Sequence, residues 1–207
     1  HAHLPVYLYN TGRVCGAVAS DINHGPLAIA RANIAENGAS AGVVTQLSDG
    51  LAELERYHPE DIAVFGMGGE LIMRIIDDAP WVRSESIRLI LQPMTKQVEL
   101  RDFLLARGFA IIDEVLSEDE GKLYQTLCAE YHPNADVPPY SRAERLLGRH
   151  NIARGGALFE AFLRHRIKVL TVARDGKRLS GHPSEEDERN VEALCALLNE
   201  IEGKKVK

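Results

Sequence analysis

Four short segments hold the residues from which chemistry could be built: Asp21, Asp49-Gly50, Gly66-Met67-Gly68-Gly69 and Gln92-Pro93. A carboxylate at Asp21 can accept hydrogen bonds from both hydroxyls of a ribose. Asp49 and Gly50 suit contact with the amino group of an adenine. The run from Gly66 to Gly69 lets backbone come close to a bound ligand, because side chains there would block the approach. Each acid also has a plainer use as the N-cap of the helix that follows it. His1-x-His3 has no further Cys, His or carboxylate at ligand spacing, and the other six histidines are scattered, so no metal site is expected. Trp81, after Pro80, could stack on a base or simply pack at the periphery.

The elements that must position these segments follow from the apolar pattern. Residues 13 to 108 alternate short apolar runs with helical periodicity, the rhythm of βαβ units on a parallel sheet. Val14 to Ser20 reads as a strand ending at Asp21. Gly25-Pro26 opens a helix with Leu27, Ala30 and Ile34 on one face, closed by Asn37-Gly38. Val43 to Leu47 is the next strand, followed by Ser48-Asp49-Gly50 and a short helix from Leu51. Ile62 to Phe65 is a third strand, and the glycine run turns it into a helix bearing Leu71, Ile72, Ile75 and Ile76. Ile87 to Leu91 is a fourth, ending at Gln92-Pro93, after which Thr95 caps a helix that Gly108 terminates. The candidate segments therefore fall at strand ends, where ligands sit in doubly wound sheets.

Beyond Gly108 the alternation stops. Phe109 to Leu116 and Leu123 to Glu130 are both strand-like, and the six residues between them leave no room for a crossover helix. They predict an antiparallel hairpin at the end of the sheet. A nicotinamide-binding domain normally continues with parallel units, whereas a closing antiparallel strand resembles the class I methyltransferase arrangement. A linker rich in Pro and turn residues runs from His132-Pro133 to Pro138-Pro139. After it, Ala157 to Ala173 and Glu185 to Glu202 read as helices. Val191, Leu194, Leu198 and Ile201 form a coiled-coil stripe, and Phe159, Phe162, Leu163, Ile167 and Leu170 face it. With turns placed at Asp175-Gly176 and Ser180-Gly181, an antiparallel helical hairpin is expected.

Charge divides the chain the same way. Residues 1 to 138 hold 10 Lys+Arg and 20 Asp+Glu, whereas residues 139 to 207 hold 14 and 10. Between residues 142 and 178 lie ten cations and three acids, a surplus of seven that could meet a phosphate backbone or form a solvated helix face. Arg142, Arg145, Arg149, Arg154, Arg164, Arg166 and Lys168 are the candidate RNA contacts. Three widely spaced cysteines suit reduced thiols in a cytoplasmic protein, and no apolar run approaches the roughly 18 residues of a membrane span.

Taken in order, His1-Ala2-His3-Leu4-Pro5, Ala19-Ser20-Asp21-Ile22-Asn23 with Gly25-Pro26, Ser48-Asp49-Gly50-Leu51, Gly66-Met67-Gly68-Gly69-Glu70 and Leu91-Gln92-Pro93-Met94 resemble the motifs of the bacterial tRNA (adenine-22-N1)-methyltransferases. The resemblance implies a Rossmann-like class I methyltransferase domain over 1–138 and a tRNA-binding helical hairpin over 139–207. S-adenosylmethionine is the implied donor, without a metal. It implies that Asp21, with Ile22 and Asn23, holds the ribose, and that Asp49, Gly50 and Leu51 hold the adenine. His1, Leu4 and Pro5 would belong to the cofactor-side helix start. Gly66, Gly68 and Gly69 would sit between donor and target base, and Gly66, Met67 and Gln92 would supply acceptors for the methylated ring. Glu70 could share that task or serve as a first-turn acid. Two departures stand out: His3 replaces a frequent Tyr, and the D-x-G-[ST]-D segment that precedes this motif in the family is not found ahead of His1. The chain is therefore expected to begin inside a larger protein, active as a monomer or weak dimer. Rival expectations are a small-molecule methyltransferase that dimerises through the hairpin, and an RNA-binding module without catalysis.

Overall fold

A computed structural model describes residues 1–205 of the 207; the last two residues of the predicted 139–207 domain lie outside the described residues. In chain order the elements are α1 (His3–Asn10), β1 (Ala17–Asp21), α2 (His24–Glu36), β2 (Val43–Leu47), β3 (Asp61–Gly68) and α3 (Gly69–Asp77). Next come β4 (Arg88–Thr95), α4 (Gln97–Ala106), β5 (Phe109–Asp119) and β6 (Lys122–Tyr131). The chain ends in α5 (Arg142–Leu147), α6 (Arg149–Arg154), α7 (Ala157–Leu179) and α8 (Glu185–Lys205). No helix among the described residues is long and apolar enough to cross a membrane.

The chain divides into two compact units, His1–Glu60 with Arg74–Arg83, and Asp61–Met73 with everything from Ser84 onward. In the first, β1 and β2 pair in parallel, from Ala17 opposite Val43 to Asp21 opposite Leu47. Ala30 and Ile34 of α2, one turn apart on its apolar face, close over Val43 and Ala39, and Ala2 and Val6 of α1 complete the core. The Tyr9 ring packs against Gly42, where an added Cβ would come 2.0 Å from it. Three expectations shift here. The first strand begins at Ala17 rather than Val14. The following helix starts at His24 behind Asn23, so Pro26 is its third residue, tolerated because first-turn N–H groups have no partner inside a helix. The helix expected from Leu51 is a tight turn leading to a single 3-10 turn at Glu55–Tyr57.

In the second unit the strand order is β3-β4-β6-β5. β3 and β4 are parallel, and β6 runs antiparallel to both β4 and β5. The predicted hairpin therefore closes the sheet, and its turn is the pair Glu120-Gly121 with φ of 47° and 73°. Two positive-φ residues suit a two-residue hairpin turn whose twist matches the strands. Pairing is longer than the apolar runs suggested, because polar Ser117 to Asp119 still bond across to residues 122 to 124.

Helices α5 and α6 had no periodic signature of their own. The first is set by a capping box: the Ser141 hydroxyl accepts from the Glu144 N–H, and the Glu144 carboxylate accepts from the Ser141 N–H. α7 runs straight through the expected turn at Asp175-Gly176. Lys177 and Arg178 pair with Asp187 and Glu188 of α8, holding that last turn against the helix-weakening glycine. The stripes of α7 and α8 do meet: Phe159, Phe162 and Leu163 are buried with Leu194, Leu146 and Leu147. The helical segment does not stand apart at the predicted boundary after residue 138. It forms one compact unit with β3 to β6, because Val98, Leu116 and Leu123 join its core.

Candidate functional site

In the first unit, the register that sets Asp21 opposite Leu47 brings the two candidate acids to neighbouring tips of parallel strands. Asp21 Oδ1 accepts the Asn23 N–H at 2.8 Å, and the Asp21 carbonyl accepts the Ser48 N–H at 3.1 Å. The second carboxylate oxygen of Asp21 accepts no hydrogen bond among the described residues. Ser48 is buried; its hydroxyl donates to the Gly50 carbonyl at 3.1 Å and accepts from the Glu53 N–H at 3.2 Å. That brace folds the turn and leaves Asp49 exposed. Gly50 has φ of 55°, and a Cβ there would meet Ile75 at 3.2 Å, so the turn requires glycine. Ile22 and Leu47 expose apolar side chains on the same strand tips. Asp21, Ile22, Asn23, Asp49, Gly50 and Leu51 are thus together at one edge. The His1 carbonyl and the His3 ring both meet the Asn33 amide of α2, tying the start of α1, with Leu4 and Pro5, to that helix.

The second unit holds the remaining candidates. β3 does not end at Phe65 as expected but continues through the glycine run, with shifts of register at Phe65 and Met67, until Gly68 lies opposite Thr95. β4 likewise continues past Gln92-Pro93 to Thr95, and Thr95 caps nothing; the residue before α4 is Lys96, at φ 58°. The extension exists because Gly66, at φ 75°, throws a bulge that donates its N–H to Gln92 Oε1 at 2.9 Å. Gly69 is required for a separate reason: a Cβ there would stand 2.7 Å from the Thr95 carbonyl. Gln92 therefore holds the bulge with its amide oxygen and keeps its amide N–H2 for other partners. Around it, Phe65, Met67 and Met94 are large apolar side chains exposed at the strand tips. Glu70 lies in the first turn of α3, the position that suits an acid.

The cations of the helical segment are mostly engaged within the protein. Arg142 bonds Glu186 and Asn190, and Arg145 makes a two-pronged pair with Asp102. Arg149 pairs with Glu144 at 2.7 Å, reaches the carbonyls of Pro138 and Pro139, and lies over the Tyr140 ring. Arg154 bonds Asp113 and the Glu114 carbonyl, and Arg164 pairs with Glu202 at 2.5 Å. These contacts hold Glu144 and Asp113 below the ordinary carboxylate range. For Glu144 the Arg149 hydrogen bond leads; for Asp113, burial pushes the other way and the bonds from Arg154 and the Glu114 N–H outweigh it. Glu186, bonded by Arg189 and Arg142, is pulled down to about 2. Lys168 is exposed and pairs with no acid among the described residues. Arg166 has no hydrogen-bond partner for its buried Nε.

One group had no sequence signature. Arg101 is fully buried and bonds Glu114 at 2.7 Å, Gln125 at 2.6 Å and the Arg145 carbonyl at 3.1 Å. Glu114 in turn accepts the His150 N–H at the start of α6, at 3.3 Å, and packs so closely on Gly148 that a Cβ there would lie 2.4 Å from its carboxylate. A single buried ion pair thus joins α4, both hairpin strands and the α5–α6 corner.

The family model of the tRNA (adenine(22)-N(1))-methyltransferases matches residues 1–202. The chain belongs to this family. It is 35% identical over 130 residues to the tRNA (adenine(22)-N(1))-methyltransferase of Bacillus subtilis, a match that covers 63% of this chain and 55% of that protein. Its fold is similar to that of Sp1610 from Streptococcus pneumoniae, with a TM-score of 0.83, 27% identity, and coverage of 96% of this chain and 88% of the other. The structure of Sp1610 in complex with S-adenosyl-L-methionine gives a TM-score of 0.82 at 26% identity, with the same coverage. The crystal structure of the Bacillus subtilis m1A22 tRNA methyltransferase gives 0.78 at 28% identity, covering 97% of this chain and 88% of that one. Within the family, this chain spans little more than half the length of the Bacillus relative in sequence.

Proposed function

We propose that the full-length protein transfers a methyl group from S-adenosylmethionine to N1 of an adenine in tRNA, at position 22. Family membership supports the reading, and one observation carries it: Asp21 and the Ser48-Asp49-Gly50 turn occupy adjacent tips of parallel strands. The tips suit an adenosyl group. Asp21 keeps an oxygen for ribose hydroxyls, Asp49 is exposed to accept from the adenine amine, and Ile22 and Leu47 offer apolar surface to the ring. Asn23 and Leu51 complete the two turns, and His1, Leu4 and Pro5 belong to the helix start on the donor side. When bound, S-adenosylmethionine supplies a methyl group on a positively charged sulfur.

Adenine N1 carries a lone pair, so forming the N–CH3 bond as the C–S bond breaks needs no base. It needs alignment and exclusion of water. The exposed Phe65, Met67 and Met94 suit one face of a base, and Gly66, with open space where a Cβ would stand, lets backbone approach it; Gly68 and Gly69 serve instead the close packing of β3 and the start of α3 on the end of β4. Positive charge develops on the ring as the methyl arrives. In this reading, backbone carbonyls of Gly66 and Met67 and the second lone pair of the Gln92 amide oxygen are the acceptors that would offset it. The 139–207 segment holds the RNA, and the protein works in the cytoplasm without a metal. The test is to incubate the full-length protein with donor and unmodified tRNA and to map reverse-transcription stops. A methyl at N1 blocks Watson–Crick pairing, so one new stop at a single adenine is expected. No stop from protein that binds the donor would refute the assignment.

A further inference from the structure

Among the arginines of the described helical segment, Arg166 alone makes no hydrogen bond or ion pair with another residue. It lies four residues after Phe162 and three after Leu163, and so on the same face of α7, the face that is buried. The charges it feels are Arg101 and Glu99 of α4, and burial and Arg101 together lower its affinity for the proton. Neither is its partner. Arg101 is committed to Glu114, and Glu99 bonds Lys96 at 3.0 Å. A largely buried cation with an orphaned N–H is costly to keep. An anion that takes two hydrogen bonds from the terminal Nη groups would offset the charge, while Nε stays buried.

Position decides which anion. Glu99 is in the first turn of α4, which begins two residues after β4 ends at Thr95. Gln92, which holds the Gly66 bulge, is on that same strand. Val98, in the same first turn as Glu99, packs on the core cluster of Phe162 and Leu163, so Arg166 lies beside the start of the helix that follows the strand assigned to the target base in the reading above. The geometry points to Arg166 as the anchor for one backbone phosphate of the RNA segment that carries the target adenine, an inference that rests on the tRNA reading. Such a contact fixes the register of the strand without reading its sequence. It also separates Arg166 from Arg142, Arg145, Arg149, Arg154 and Arg164, whose charges are already matched inside the protein.

The experiment measures tRNA affinity across a salt series, alongside thermal denaturation, for the full-length protein, Arg166→Met and Arg166→Lys. Arg166→Met should melt at the same or a higher temperature, bind tRNA about tenfold more weakly, and show a log–log salt slope shallower by about 0.7 to 0.9, one phosphate's worth. Arg166→Lys should restore the slope but only part of the affinity, because an ammonium cannot bind bidentately. A slope unchanged in both variants, with the unaltered protein binding tRNA in a salt-dependent way, would overturn the anchor and leave the tRNA reading standing. Absence of salt-dependent tRNA binding by the unaltered protein would instead overturn that reading, and the anchor with it.

Discussion

The strand tips and the basic helices are charged in opposite ways, and they treat their charges differently. At the tips, Asp21 spends one oxygen on the next turn, and Asp49 is held out by a buried serine. In the helical segment, five of the seven arginines and lysines expected to contact RNA are locked to carboxylates or carbonyls of the protein itself. A surplus of positive charge in the sequence thus divides into cations that build the domain and cations left for a ligand. Only partners distant in the chain tell them apart.

That division is most sharply broken at its buried centre. Glu114→Gln leaves Arg101 uncompensated in the interior and should cost about 3–5 kcal/mol in a denaturant titration. Asp21→Ala should change stability by less than about 1 kcal/mol, since it loses only a local turn contact. Equal losses from the two would erase the distinction between tip and clasp. A smaller cost is expected for Gly148→Ala. Its φ of 92° and the Glu114 carboxylate 2.4 Å from the new Cβ should together cost about 1–3 kcal/mol, and a neutral result would mean that the α5–α6 corner is not clamped on the sheet.

Acid should act more gently and on the same contacts. Glu144 and Glu186 have folded pKa values below their ordinary 4.5, Glu186 at about 2. Their contribution is therefore complete above the unfolded value and lost as pH falls from about 4.5 toward 2. Melting temperature should drop across that window, and the Glu186→Gln variant should drop less steeply than the unaltered protein. The smallest effect belongs to Lys168→Ala, at an exposed cation with no acidic partner. Stability should move by no more than about 0.5 kcal/mol, while tRNA affinity weakens severalfold with a shallower salt slope. A fall in stability without any change in slope would place Lys168 among the builders.

Local pattern was enough to read some of this architecture from residue order. Alternation of apolar runs with helical faces located β1, α2, β2 and β4, and the six-residue gap before Leu123 forced the closing hairpin. Asp21 and Asp49 were legible because strand ends follow from the same pattern. What escaped was non-local. β3 passes through Gly66 because Gln92, 26 residues away, accepts its N–H, and α7 passes Gly176 because α8 offers acids opposite it. The Arg101–Glu114 pair escaped because a buried charge looks like any surface charge until its partner is known. For the same reason, the basic run between residues 142 and 178 overstated what faces outward.

Calorimetric titration of S-adenosylmethionine into the full-length protein and its Asp21→Ala variant, both shown folded by their melting curves, bears most directly on the role given to the strand tips. The expected result is donor affinity reduced at least a hundredfold by the substitution, with melting temperature nearly unchanged. Undiminished affinity in folded Asp21→Ala would contradict it.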